Sequence, residues 1–269
     1  MWTTKNGFSL YRCATCKLIF VAPIPETSAL IYNEEYFDGA THGFGYVNYD
    51  EDKEPMIPVF EEYLRLIMES LGRTGTLLDV GAATGFFVRL AINRGFKAEG
   101  IELSTHAASR AQARGLPVRG GTLADVEGRF DCITMLDVIE HVPDPKREIE
   151  KVATLLPPGG ILVINTPDAG SLFARALGKR WHLLVPPEHL FYFNRDNMQH
   201  LLEERGFEVL KNTTIGKSFT LSYIAKTLYK WTSFSPFNWI ASLCAHSILR
   251  RIAIPLNLHD NMFVLARKK

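Results

Sequence analysis

From residue 57 onward the apolar positions fall into two alternating patterns. Residues 58–71 place Phe60, Tyr63, Leu64, Ile67 and Leu71 three or four apart, one face of a helix. Residues 76–80 are a short apolar run, a strand. The alternation then repeats, with a helix over 86–94, a strand over 98–102, an alanine-rich helix over 105–114 behind the N-cap residue Ser104, and a short strand over 117–119. An apolar strand over 130–136 follows, then a helix over 145–156 ended by Pro157-Pro158-Gly159-Gly160, and a strand over 161–165. Asn194 caps a helix running to 204. A strand begins at 207–210, and another over 262–266 closes the chain. Strands that alternate with helices predict an α/β fold: a doubly wound, mostly parallel sheet with helices on both faces.

Two stretches interrupt this rhythm and read as insertions, 168–193 and 213–259. The first carries Arg175, Lys179, Arg180, Trp181 and His182, then Pro186-Pro187-Glu188-His189-Leu190. The second has no acidic residue between Glu208 and Asp260, while Phe219, Tyr223, Tyr229, Trp231, Phe234, Phe237 and Trp239 crowd it. Its serines, Pro236 and Asn238 argue against a spanning helix, which needs ~20 mostly apolar residues. Basic ends around an aromatic middle leave two readings for 219–258: a helical cap buried on the sheet, or a peripheral membrane contact. Ahead of the main domain (57–269), residues 1–56 divide in two. Cys13-Ala14-Thr15-Cys16 is half of a zinc ribbon, but no second cysteine pair stands nearby, so a plain hairpin packed on the main domain is the competing reading. The remainder, with Tyr32, Tyr36, Phe37, Tyr46 and Tyr49, reads as a lid over a ligand or as a surface loop.

Composition narrows the class. The chain has 269 residues, 46% hydrophobic and 22% charged, with a formal net charge of +1. That near-neutral balance argues against a nucleic-acid partner. Four irregularly spaced cysteines do not form a disulfide framework, and the first residues lack the apolar core of a signal peptide, so a cytoplasmic location is expected.

The chemistry starts at Asp79-Val80-Gly81-Ala82-Ala83-Thr84-Gly85, a small-residue turn between a strand and a helix. Glu102 ends the next strand. In this sheet type such a turn and carboxylate hold a nucleoside. In a dinucleotide site Asp79 would face a pyrophosphate, and at ~5 Å and an effective dielectric of ~20 like charges repel by roughly 3 kcal/mol. The glycine spacing also fails the NAD fingerprint, because Ala83 stands between Gly81 and Gly85. A cationic nucleoside reverses the sign. Glu102 then has two oxygens for the two ribose hydroxyls. A second ionisable group, the acids Asp137 and Glu140 with His141, follows the strand at 130–136 and faces the same crevice.

Residues 77–85 resemble motif I of the class I S-adenosylmethionine-dependent methyltransferases, with Ala83 in place of the middle glycine. The run Glu140-His141-Val142-Pro143-Asp144-Pro145 is similar to the subgroup of the ubiquinone-biosynthesis O-methyltransferases. The resemblance covers about 58–269 and implies a Rossmann-like seven-stranded sheet. It implies S-adenosylmethionine as cofactor, held by Asp79, Gly81, Ala83, Gly85 and Glu102, with Asp137 at the methionine end. It also implies adenine contacts from Leu103, Thr122 and Leu123. In the ubiquinone subgroup a similar acidic set is associated with a divalent metal, which carries over to Asp137, Glu140 and His141 as ligands of Mg2+. His141 has a second reading as general base, and His189 is a second candidate base. The acceptor expected is a small molecule with an apolar or anionic part, lipid-like or glycan-linked, methylated on oxygen. An NAD-linked oxidoreductase and a cofactor-binding protein without turnover are the alternatives.

Overall fold

A computed structural model describes residues 1–25, 50, 53–220 and 253–269, with Ala225, Tyr229, Pro236, Trp239 and Ile240 in between. The expected lid aromatics Tyr32, Tyr36, Phe37, Tyr46 and Tyr49, and most of 219–258, lie outside the described residues. Three short strands open the chain, β1 (Thr3–Lys5), β2 (Phe8–Arg12) and β3 (Ile19–Val21). Then come α1 (Ile57–Leu71), β4 (Thr76–Val80), α2 (Phe86–Asn93), β5 (Lys97–Glu102), α3 (Thr105–Ala113), β6 (Val118–Gly120) and β7 (Cys132–Leu136). The chain continues through α4 (Pro145–Leu155), β8 (Ile161–Pro167), α5 (Leu172–Leu177), β9 (Phe191–Tyr192) and α6 (Arg195–Glu203). It ends with β10 (Phe207–Thr213), β11 (Lys217–Thr220), β12 (Ala253–Leu256) and β13 (Asn261–Lys268).

Seven strands form the central sheet in the order β10-β13-β8-β7-β4-β5-β6. Strands β4 to β8 pair in parallel. β13 runs antiparallel between β8 and β10. This is the expected Rossmann-like, mostly parallel sheet. Alternation along each strand divides the core in two. On β8, Ile161 and Val163 face α1 and α2, whereas Leu162 and Ile164 face α4 and α6. On β13, Phe263 and Leu265 take the first side, Met262 and Val264 the second. Helices therefore cover both faces.

β4 is flanked by β5 and β7, so the chain reverses its winding direction beside β4. Ligands of open α/β sheets settle at that point, beyond the carboxyl ends of the strands. The ends of β4, β5, β7 and β8 carry Asp79, Glu102, Asp137 and Asn165.

The N-terminal hairpin is not a separate knuckle. Within the 168–193 insertion, β9 pairs with β3 and completes a four-stranded sheet β1-β2-β3-β9. Leu10, Ile19, Val21, Trp181, Leu184, Leu190 and Tyr192 share one small core. The Cys13–Cys16 turn is tied to α6, because Asn197 Nδ2 donates to the Cys16 carbonyl at 3.2 Å. Cys13 and Cys16 are free thiols, and among the described residues no metal-binding group includes them. β11 and β12, absent from the sequence expectation, pair with each other inside the second insertion.

Candidate active site

The turn after β4 is held by geometry that small residues permit. Gly81 has φ +71°, and a Cβ there would stand 2.6 Å from Val138 Cγ2. Gly85 has φ +78° and serves as the N-cap of α2 without a side-chain cap. Ala83 adopts φ +47°, the left-handed conformation a glycine takes without strain. The departure from motif I is thus one of residue type, and the backbone keeps the left-handed turn. Ala83 N–H donates to Glu102 Oε2 at 2.8 Å, and Ser104 N–H donates to Glu102 Oε1 at 2.8 Å. Glu102 therefore fastens the turn to the end of β5. The carboxylate is a two-oxygen acceptor of the kind a pair of hydroxyls needs. Burial raises its pKa, and the backbone donors pull it back.

Asp79 is 4% exposed. Its pKa is pushed up to about 7, first by burial, opposed by the Thr134 hydroxyl that donates to it at 2.6 Å, raised again by Glu102 and lowered by Lys53. A buried carboxylate at this position lacks a full counter-charge, which a cationic ligand supplies. One crevice is lined by Asp79, Gly81, Phe86, Asp137, Asn165 and Lys53, among others. Asp137 stands at its rim with φ +57°. Asn165 Nδ2 donates to Asp137 Oδ1 at 2.5 Å, and Tyr63 Oη donates to Asn165 Oδ1 at 3.1 Å. Lys53 Nζ lies 4.0 Å from Asp137 Oδ2. The sequence reading missed Lys53, Tyr63 and Asn165. The polar Asn165 ending an apolar strand was the available signal.

The adenine-side residues separate. Leu103 is 45% exposed at the end of β5. Leu123 is buried in the core with Val80 and Ile101. The Thr122 hydroxyl is occupied locally, donating to Asp125 Oδ2 at 2.8 Å.

Beyond β7, the insertion docks on the acidic segment: Leu190 N–H donates to the Glu140 carbonyl at 2.8 Å. That contact brings His189 beside His141, with ring centroids 4.8 Å apart. His141 Nδ1 lies 2.7 Å from the Glu188 carbonyl, and His189 Nδ1 lies 2.9 Å from the Leu183 carbonyl. A carbonyl only accepts, so each Nδ1 carries the hydrogen and each Nε2 carries the lone pair in the neutral ring. Glu140 is 1% exposed, accepts from the Thr166 hydroxyl at 2.8 Å, and places Oε1 3.9 Å from His141 Nε2. Burial lowers the His141 pKa, partly offset by Glu188 and Asp137, so the ring is neutral near pH 7.

This geometry corrects the expected metal set. Among the described residues, the group that converges is Glu140, His141 and His189, with ligand atoms within 4.8 Å of one another. Asp137 is not in it, because its carboxylate is taken up by Asn165 and Lys53. Two imidazoles and one carboxylate do not make the oxygen-rich shell of Mg2+. The residues do not fit that ion, and no chemical step here depends on one.

With the fold and site described, the comparisons with known proteins agree. The family model described as methyltransferase domain matches residues 54–212. The chain belongs to that family, in the class I S-adenosylmethionine-dependent group. Ubiquinone biosynthesis O-methyltransferase of Burkholderia ambifaria (strain MC40-6) is 29% identical over 169 residues, 54% of this chain and 72% of that protein. The protein of the same description from Caulobacter vibrioides is 36% identical over 129 residues, 42% of this chain and 50% of that protein. Among solved structures, magnesium protoporphyrin IX methyltransferase from Synechocystis PCC 6803 with bound SAH superposes with a TM-score of 0.57 at 14% identity, covering 87% of this chain and 97% of that one. These likenesses, with the buried Asp79, set aside an NAD-linked oxidoreductase.

Proposed function

We propose that this protein moves the methyl group of S-adenosylmethionine onto a hydroxyl oxygen of a small acceptor. The observation that carries the reading is the acidic crevice lined by buried Asp79 and by Asp137. Beyond β7, the neutral His141 ring keeps the Nε2 lone pair that a base needs, because its Nδ1 donates to the Glu188 carbonyl. Asp79 and Asp137 attract the cofactor's positive groups. Glu102 accepts the ribose hydroxyls. The acceptor oxygen attacks the methyl carbon in line with the departing sulfur. The carbon–sulfur bond breaks, its electron pair stays on sulfur, and the sulfonium becomes a neutral thioether. The hydroxyl proton passes to His141 Nε2, and Glu140 at 3.9 Å stabilises the resulting imidazolium. His189 packs edge-on against that ring and fixes its plane.

An acceptor with an apolar part, a lipid-like or glycan-linked hydroxyl, is favoured by the aromatic, acid-free stretch 219–258. Peripheral contact with a membrane rests on the same stretch. No helix of the described residues is long and apolar enough to cross a membrane. Titration calorimetry with S-adenosylmethionine tests the binding half. Native protein should bind it, and Glu102→Ala should weaken it by ~100-fold, the loss of a charged acceptor for two hydroxyls. A panel of hydroxylated lipids and sugars with radiolabelled cofactor tests the transfer half. Cofactor binding without methyl transfer to any of them would favour the non-catalytic alternative.

A further inference from the structure

We infer that Asp50 is a positioning residue for the cofactor's nucleoside, bracing the turn after β4 against α3 through Thr84 on one side and Arg110 and Arg114 on the other. The inference rests on the cofactor reading above and concerns a carboxylate that this reading does not use.

The turn lies in a tight seam. On its β5 side, Glu102 accepts from Ala83 N–H and from Ser104 N–H, each at 2.8 Å. On its α3 side, a Cβ at Gly85 would stand 2.8 Å from Leu116 Cδ1 and 3.3 Å from Ala111 Cβ. Asp50 reaches this seam from a distant part of the chain. The Thr84 hydroxyl donates to Asp50 Oδ1 at 2.6 Å. Arg114 Nη2 lies 2.5 Å from Asp50 Oδ2, and Arg110 Nη2 lies 3.7 Å from the same oxygen. Arg110 belongs to α3, and Arg114 is its C-cap. Four residues apart, the two arginines stand on one side of the helix. One carboxylate thus joins the turn to α3.

The contact is more than a surface ion pair. Thr84 is the one residue of 81–85 with a polar side chain, so it is the handle by which another side chain can hold the turn. It is wholly buried. The Asp50 side chain is 21% exposed. Burial works against its charge, yet Arg114, Thr84 and Arg110 hold its pKa below the ordinary carboxylate value. Ala83, left-handed at φ +47°, is a residue that keeps its conformation only where the surroundings impose it. Glu102 grips the turn at the Ala83 backbone, and Asp50 grips the next residue. Without Asp50 the turn relaxes on its α3 side, and the face it offers to a nucleoside changes.

Methylthioadenosine is the decisive probe, because it carries the nucleoside without the sulfonium, the ammonium or the carboxylate. Asp50→Asn keeps an acceptor for Thr84 and removes the charge. In calorimetric titration of the full chain it should bind S-adenosylmethionine and methylthioadenosine more weakly by one common factor, roughly tenfold, the size of a lost hydrogen bond to a charged group. Thr84→Val should act the same way from the other side of the carboxylate. Arg114→Met, at a side chain 44% exposed, repeats the test should Asp50→Asn fail to fold. Added to Asp50→Asn, it should cause little further loss, because the two act through one contact. Raising the ionic strength to about 0.5 M, where the screening length is about 4 Å, should weaken methylthioadenosine binding more in native protein than in Asp50→Asn. The probe is uncharged, so that difference reports the brace. Variants with a lowered Tm but native affinity for both ligands would overturn the inference and leave Asp50 a structural tie. A loss confined to S-adenosylmethionine would overturn it as well, because the turn serves the nucleoside that both ligands share. If native protein binds neither ligand, the cofactor reading itself falls, and the brace with it.

Discussion

At the scale of single residues, Ala83 and His141 show how local chemistry follows from backbone placement. Ala83 holds a left-handed φ of +47°. That costs an L-residue roughly 1–2 kcal/mol, while the extra freedom of glycine in the unfolded chain returns roughly 0.5–1. Ala83→Gly should therefore stabilise the protein by about 0.5 kcal/mol in denaturant unfolding. A loss above 1 kcal/mol would mean that the buried methyl matters more than the strain. His141 is neutral because burial disfavours its charge. The acid limb of the kcat profile should then have its midpoint below the usual imidazole value of 6.5, with activity level above it. His141→Ala should lower kcat by ~10²–10³ with KM for S-adenosylmethionine within about threefold, the range expected for a lost general base. An acid limb that persists unchanged in His141→Ala would assign the proton to another group. These residues differ in how legible they were. Asp79, Glu102 and His141 stand at or just beyond the ends of strands that the sequence pattern marks, so the sequence alone puts them near the carboxyl ends. Lys53 and Tyr63 precede the first core strand, and only the fold brings them to the crevice.

At the scale of elements, apolar periodicity foretold the alternating core but not the accessory sheet. The inner strands β4, β7 and β8 are buried along nearly their whole length and read as apolar runs, which makes them visible. β9 has two residues, and its partner β3 lies about 170 positions earlier in the chain, so no local pattern could announce it. Asp137 was expected beside Glu140 and His141 for a related reason. The family resemblance implied one ligand set, but the left-handed Asp137 bonds Asn165, and His189 fills the third place from a distant loop. The accessory sheet supports that loop. Leu10 is wholly buried among Trp181, Leu184, Leu190 and Tyr192. Leu10→Ala should cost about 2–5 kcal/mol, the range for a large-to-small core change. It should also speed amide exchange in residues 183–192 more than in β4 and β7. Uniform acceleration would mean that the accessory and central sheets open as one unit.

For the whole molecule, the acidic crevice couples ligand, pH and stability. Asp79 has a folded-state pKa pushed up to about 7 from an ordinary 3.8. The folded protein thus holds a proton there that the unfolded chain has released, through the window between these values. In that window stability falls as pH rises, and above about pH 7 the full penalty of a buried, ionised carboxylate is present. Glu102 is displaced in the same direction, also by burial. A cationic ligand reverses the sign. Its charge favours the ionised form and lowers the Asp79 pKa, so binding expels a proton near neutrality. The gain in Tm from saturating S-adenosylmethionine should therefore be larger at pH 8 than at pH 6. Calorimetric binding at pH 6.5, repeated in buffers of different ionisation enthalpy, should register a fraction of a proton released. Asp79→Asn keeps an acceptor for Thr134 and removes the charge. It should raise the Tm of the unliganded protein at pH 8, weaken cofactor binding by ten- to a hundredfold, and abolish most of the proton release. A variant that loses stability at pH 8 would show that the carboxylate is held in place by interactions stronger than its desolvation cost. The crevice would then be built for Asp79 itself rather than for the cation it receives.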